Sequence, residues 1–170
     1  MSHEGRVTST RIRWTVIRFA CGLLLGSAAL CQCAGSGSMT NLEVVKQLHS
    51  SRPYSQNLLR SPALADGAEW WAAGSRDRLP WAGTWRGRDG IAQFFEALNR
   101  VMDYERFETE EYITEGGTVV AIIAAGGRAI ATGRPFESHI VRVYTFEHGK
   151  IARIRNYYDT AAYEHALAAK

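Results

Sequence analysis

Between Phe136 and Tyr163 the chain sets a carboxylate among arginines and tyrosines at the spacing of a β-hairpin followed by a helix, FESHIVRVYTFEHGKIARIRNYYDTAAY. His148-Gly149 reads as the two-residue turn, because glycine accepts the positive φ such a loop demands. Counting back from it sets Phe146 opposite Ile151, Tyr144 opposite Arg153, Arg142 opposite Arg155, Ile140 opposite Tyr157 and Ser138 opposite Asp159, all on one face. The other face carries Thr145, Val143, Val141 and His139 opposite Ala152, Ile154, Asn156 and Tyr158. The first face is taken as inward for its aromatic content, and a one-residue slip would exchange the two. Asp159 is then a carboxyl at the end of an apolar strand face, where burial raises a carboxyl's pKa and suits it to general acid–base work. Proton movement beside a carbonyl is the chemistry this arrangement fits. Asp159, Tyr157 and Arg142 form the candidate catalytic set, with Tyr157 and Tyr54 as donors to a developing enolate oxygen. Arg142 and Arg155 are candidates for holding an anionic substrate. A solvated face with an ordinary Arg155–Asp159 ion pair is the structural alternative.

Elements upstream must position this hairpin. Thr40 to Glu43 is an S/T-x-x-E capping box, and Leu42, Val45 and Leu48 give the helix behind it one apolar side. A second helix spans Tyr54 to Leu64, with Leu58 and Leu59 inward. Residues 68–71 are a short strand-like piece, and residues 72–90 a loop rich in Gly, Pro and Trp. Trp81 and Trp85 on that loop are rim packing or the lining of a pocket mouth. Asp89 caps a stronger helix whose apolar stripe, Ile91, Phe94, Phe95, Leu98, Val101 and Met102, must lie on a sheet. Residues 104–114 form a strand with solvated Glu108, Glu110 and Glu111. Gly116-Gly117 is a turn, residues 118–125 a central strand, and Gly126-Gly127 a second turn. Asp159 or Thr160 caps a last helix over residues 161–169. Helices followed by an antiparallel meander make an α+β domain, a curved sheet wrapped round an amphipathic helix.

The sequence has 170 residues, enough for one domain with a real core. Its formal charge of +3 misleads: residues 1–38 hold four arginines and one glutamate, which leaves sixteen basic and sixteen acidic residues beyond them. That balance argues against a nucleic-acid partner. All three cysteines fall within residues 1–38, so the domain has no cysteine nucleophile or cysteine metal site, and the histidines lack metal-ligand spacing. Two readings fit residues 1–38. They are a signal-like leader, with a basic stretch ahead of a short apolar run, and the protein is exported; or translation starts at Met39 and the protein is cytoplasmic.

The runs GTWRGRDGIAQFF (residues 83–95), EGGTVV (115–120), ATGRPF (131–136) and RNYYDT (155–160) occur in the order and spacing of the SnoaL-like, ketosteroid-isomerase-related proteins, and residues 41–167 resemble that family. The resemblance implies the cone-shaped α+β barrel of the nuclear-transport-factor-two-like superfamily, with an internal pocket and no metal or nucleotide cofactor. It implies an acid/base role for Asp159, in isomerisation or cyclisation, or, less directly, an Arg–Asp pair opening an epoxide. It also implies a small apolar or carbonyl-containing ligand, held by Arg155, Tyr54, Trp71, Trp85, Phe95 and Ile140. The alternative is a ligand-binding or accessory domain without turnover. The outer hairpin face, with Val141, Val143 and Ile154, is then the expected homodimer contact. The chain departs from the isomerases in lacking a second acid in the hairpin, which argues against steroid isomerisation.

Overall fold

The computed structural model describes residues 39–50 and 52–168. The leader assigned to residues 1–38 lies outside them. Four helices and six strands follow in the order α1 (Asn41–His49), α2 (Tyr54–Arg60), β1 (Leu64–Ala72), β2 (Gly83–Arg86), α3 (Gly87–Asn99), β3 (Met102–Glu115), β4 (Thr118–Ala129), β5 (Pro135–Glu147), β6 (Lys150–Tyr157) and α4 (Thr160–Leu167). The strands form one curved mixed sheet, β2-β1-β6-β5-β4-β3, in which β1 runs parallel to β6 and the other neighbours are antiparallel. The α+β class and the helices-then-meander order therefore hold. The strand-like piece at residues 68–71 is longer than expected, and the following loop contains β2.

Local sequence explains most boundaries. Thr40 and Glu43 form the capping box of α1, with the Glu43 carboxylate accepting from the Thr40 backbone at 2.7 Å. Helix α3 begins two residues before Asp89, which sits in its first turn rather than at its cap. Ile91, Phe94 and Phe95 on its inner side are buried, as are Trp70, Tyr144 and Ile154 in the same core. Each such side chain stabilises the fold by roughly 1.5–3 kcal/mol. The exposed edge strand β3 carries Glu105, Glu108, Glu110 and Glu111 outward, charges that discourage pairing with another chain.

Two readings of the sheet need correction. Gly126-Gly127 is not a turn but lies within β4, paired with both β3 and β5. A Cβ on Gly127 would run into the Asp103 carbonyl, so the glycine serves close backbone approach where β3 bulges. The second correction concerns the hairpin. His148 and Gly149 do form the turn, with φ of 50° and 74°, and Phe146 does face Ile151. Beyond them the ladder slips. Thr145 pairs with Arg153, Tyr144 with Ile154, Val143 with Arg155, Arg142 with Asn156 and Val141 with Tyr157. Ala152 is the extra residue of a β-bulge, and one extra residue turns every later side chain of β6 to the opposite face. On β5 the expected face is the buried one: Ser138, Ile140, Arg142, Tyr144 and Phe146. On β6 the buried residues are Ile151, Ile154 and Asn156, while Arg155 and Tyr157 point outward. Ile154 thus leaves the outer apolar face, where Val141 and Val143 remain and Tyr157, against the Trp71 ring, joins them.

Candidate functional site

Helices α2 and α3, the inner side of β3 and the far ends of β5 and β6 enclose a cavity of about 200 Å³. That exceeds the roughly 150 Å³ apolar cavity known to admit benzene, and it suits a body of one or two rings. Its wall includes Tyr54, Phe94, Phe95, Tyr104, Phe107, Ile140 and Tyr158. The polar groups in this wall are few, and none of the lining residues is an aspartate or glutamate.

Arg142 is the cavity's buried cation. It is 5% exposed. Its Nε donates to Asn156 Oδ1, and Asn156 in turn donates from Nδ2 to the Trp71 carbonyl at 3.2 Å. The bulge at Ala152 makes this possible by turning Asn156 inward, opposite Arg142. The guanidinium lies 4.5 Å from the Tyr54 ring centre, 5.0 Å from Trp70 and 5.4 Å from Phe107. These cation–π contacts offset part of the cost of desolvating it. Nη1 is buried and has no acceptor among the described residues. Burial alone would lower its pKa, but the phenolic oxygens of Tyr54 and Tyr144 more than compensate, and the arginine stays charged.

A chain of hydrogen bonds leads from the cavity into the wall. Tyr54 and Tyr144 share a hydroxyl–hydroxyl bond of 2.8 Å, Tyr144 meets His49 Nε2 at 2.7 Å, and His49 Nδ1 meets Thr109 Oγ1 at 2.7 Å. Burial pushes both tyrosines' pKa values up, Tyr144's the further. Burial first, and then the nearby Arg142 charge, push His49 down to about 3. All three groups are neutral near pH 7. At the other side of the cavity Trp81 Nε1 donates to the Tyr158 hydroxyl at 2.8 Å, which donates to the Ala73 carbonyl at 2.7 Å.

Of the residues singled out from the sequence, the structure brings Tyr54, Phe95, Ile140 and Arg142 together in this cavity. The others lie elsewhere. Arg155 and Tyr157 are exposed on β6, with Tyr157 against Trp71, ring centres 5.2 Å apart. Trp85 donates to the Trp81 carbonyl at 2.9 Å and lies under the Arg76 guanidinium. Asp159 is exposed, and its carboxylate accepts from the backbone N–H groups of Ala161 and Ala162 at 3.0 and 3.2 Å. It is the N-cap of α4, the helix-capping role that the sequence also allowed. Replacing Asp159 by Ala is expected to cost about 1 kcal/mol of stability through that cap, measured by urea denaturation, with ligand binding in the cavity unaffected.

Trp81, read as rim packing or pocket-mouth lining, lines the cavity, while His49, Tyr144, Asn156, Tyr104, Phe107 and Tyr158 belong to the site or its support without having been singled out for it. Asn156 and Tyr158 were hidden by the bulge. His49 is separated from Tyr144 by 95 positions, and nothing local to either announces the pairing.

A SnoaL-like domain model matches residues 57–154, more than half of the chain. The chain belongs to the SnoaL-like family. Its fold is that of the NTF2-like proteins. An NTF2-like protein of unknown function from Burkholderia pseudomallei K96243 is 23% identical, with a TM-score of 0.69 over 77% of this chain and 100% of that one. A candidate SnoaL-like polyketide cyclase from Mesorhizobium loti is 18% identical, with a TM-score of 0.56 over 70% of this chain and 99% of the other. TerC, co-crystallised with polyporic acid, is 20% identical, with a TM-score of 0.66 over 76% and 98% of the two chains. No curated protein matches the sequence.

Proposed function

We propose that this SnoaL-like domain binds a small, mostly apolar ring compound bearing one anionic oxygen, an enolate, phenolate or carboxylate, with Arg142 as its counter-ion. The observation that carries the reading is the buried, charged guanidinium with an unpaired Nη1 and no carboxylate in the cavity wall. Rings and neutral hydroxyls, not a carboxylate, hold this charge in the empty cavity, and an anionic ligand supplies the missing counter-charge. Arg52 at the cavity mouth adds a second positive charge on the entry side. The aromatic wall fits the rest of the ligand, and the Tyr54 hydroxyl offers one polar contact to orient it. The co-crystallisation of TerC with an organic acid is consistent with such a ligand.

A second reading adds turnover. The Tyr54–Tyr144–His49 chain favours it, because a hydroxyl backed by such a chain stabilises an enolate oxygen as it forms. That isomerase- or cyclase-like chemistry would run through Tyr54 and Arg142. Asp159 would serve it only by leaving its cap on α4.

A thermal-shift series tests the binding reading. Benzoate, benzenesulfonate and a hydroxyquinone are expected to raise the melting temperature of wild type, and to do so equally in Asp159→Asn. Cyclohexanone and naphthalene, matched in bulk but uncharged, are expected to do little. Ligand at a hundred times its Kd stabilises by about 2.7 kcal/mol, a shift easily read. Equal stabilisation by charged and uncharged rings would sink the proposal. A ligand shift lost in Asp159→Asn would restore that carboxylate to the site.

A further inference from the structure

The wall of the cavity leads, through hydrogen bonds, to one group able to accept a proton reversibly. From Tyr54, which lines the cavity, contacts of 2.8 and 2.7 Å run through the Tyr144 hydroxyl to His49 Nε2. The tyrosines conduct but do not store: as neutral phenols each can pass on one proton while receiving another, and burial opposes their ionisation. The imidazole differs. Thr109 Oγ1, 2.7 Å from Nδ1, can accept from an Nδ1–H, and in that tautomer Nε2 is free to take a proton from Tyr144.

The charged and titratable groups facing this imidazole are few. Helix α2 contributes Tyr54, β3 contributes Tyr112, and β5 contributes Tyr144 and Arg142. On α1 itself, Lys46 lies over the Tyr112 ring, 5.7 Å from its centre. No Asp or Glu hydrogen-bonds to any member of the chain among the described residues. In the empty cavity burial first, and the Arg142 charge in addition, keep His49 neutral.

We propose that His49 is the proton partner of the cavity: when an anion occupies Arg142, His49 takes up a proton through Tyr54 and Tyr144, so an acidic ligand binds together with its proton. The inference rests on the acidic-ligand reading above and adds the linkage to it. The step balances without an outside reactant. For a protonated ligand the O–H bond breaks, each tyrosine oxygen gives up one proton and receives one, and an N–H bond forms at Nε2. The products are an anion beside Arg142 and an imidazolium donating to both Thr109 and Tyr144. A ligand already ionised brings no proton, and the same site takes one from solvent. An anion on Arg142 removes the second of the two causes that hold His49 at about 3 in the empty protein, so its pKa rises in the complex.

Benzenesulfonate is the probe, because it stays ionised throughout and any proton taken up belongs to the protein. Calorimetry of the full chain at pH 5, in two buffers of different ionisation enthalpy, is expected to show fractional proton uptake on binding. The His49 ring nitrogens, followed by ¹⁵N NMR, are expected to move toward imidazolium shifts on binding. In His49→Gln the uptake disappears, and the affinity for benzenesulfonate no longer rises as the pH falls from 7 to 5. Binding with no proton uptake and unmoved His49 resonances would overturn the linkage while leaving the anion site standing. Failure of benzenesulfonate, benzoate and the hydroxyquinone alike to bind would instead overturn the acidic-ligand reading, and the linkage with it. The NMR measurement on wild type decides the matter even if the glutamine variant does not fold.

Discussion

Replacing Arg142 by Met is expected to leave the domain within about 1–2 kcal/mol of the wild-type stability, while weakening acidic ligands at least a hundredfold. Methionine has a similar reach and fills the space between Tyr54, Trp70 and Phe107 without carrying a charge. The substitution removes one hydrogen bond, from Arg142 Nε to Asn156, and three cation–π contacts. Leaving Asn156 Oδ1 without its donor costs about 1–3 kcal/mol. Against this stands the cost of keeping a guanidinium out of water with no carboxylate beside it, several kcal/mol for a buried ion, which the Tyr54 and Tyr144 contacts offset. Relief of desolvation and loss of these contacts largely cancel, so stability changes little. Function falls, because the anion loses its counter-ion. Loss of binding with little change in stability is the pattern expected of a group kept for its ligand. Urea denaturation and a benzoate titration on the same samples make the test. A loss of more than about 3 kcal/mol in Arg142→Met, the size expected when a buried ion pair is broken, would mark the arginine as structural and remove the basis for an anion site.

The sequence made the fold legible through features that are local. The capping box of α1, the apolar stripe of α3, the glycine turns at residues 116–117 and 148–149 and the inner face of β5 could each be read within a dozen residues. What failed was counting across a strand. A bulge costs a small residue such as Ala152 little and leaves no trace in the alternation of β6, because both faces of IARIRNYYD carry apolar and polar residues alike. One slipped position exchanged Arg155 for Asn156 opposite Arg142 and put Tyr157 outside. The glycines at 126–127 misled for a related reason: a pair that often marks a turn here permits the close approach of β3. The site suffered more than the fold. Its central cation lay on a strand whose facing was read correctly. Its proton chain joins α1, α2, β3 and β5, residues brought together only by tertiary packing.

The stability of the domain is expected to fall steeply between about pH 6.5 and pH 3, and His49 is the reason. An unfolded histidine titrates near 6.5, whereas burial and the Arg142 charge hold folded His49 at about 3. Between those values the unfolded chain binds a proton that the folded chain refuses, so protons favour unfolding and stability rises with pH. The contribution is fully present above about pH 6.5, shrinks as the pH falls, and levels off below about 3. A difference of that size corresponds to roughly 4–5 kcal/mol, a third or more of what a domain of this kind usually has to lose. Glutamine at position 49 retains polar groups that can reach Thr109 or Tyr144 but has no proton to bind. His49→Gln is therefore expected to be about 1 kcal/mol less stable than wild type at pH 7, through imperfect hydrogen bonding, and more stable at pH 4. Urea midpoints measured every half unit from pH 7 to pH 4 should give two curves that cross. Parallel curves would show that His49 binds its proton equally well folded and unfolded. A crossing, shifted to lower pH when benzenesulfonate is present, would tie the same titration to the cavity, since an anion on Arg142 relieves the repulsion that adds to burial in keeping His49 neutral.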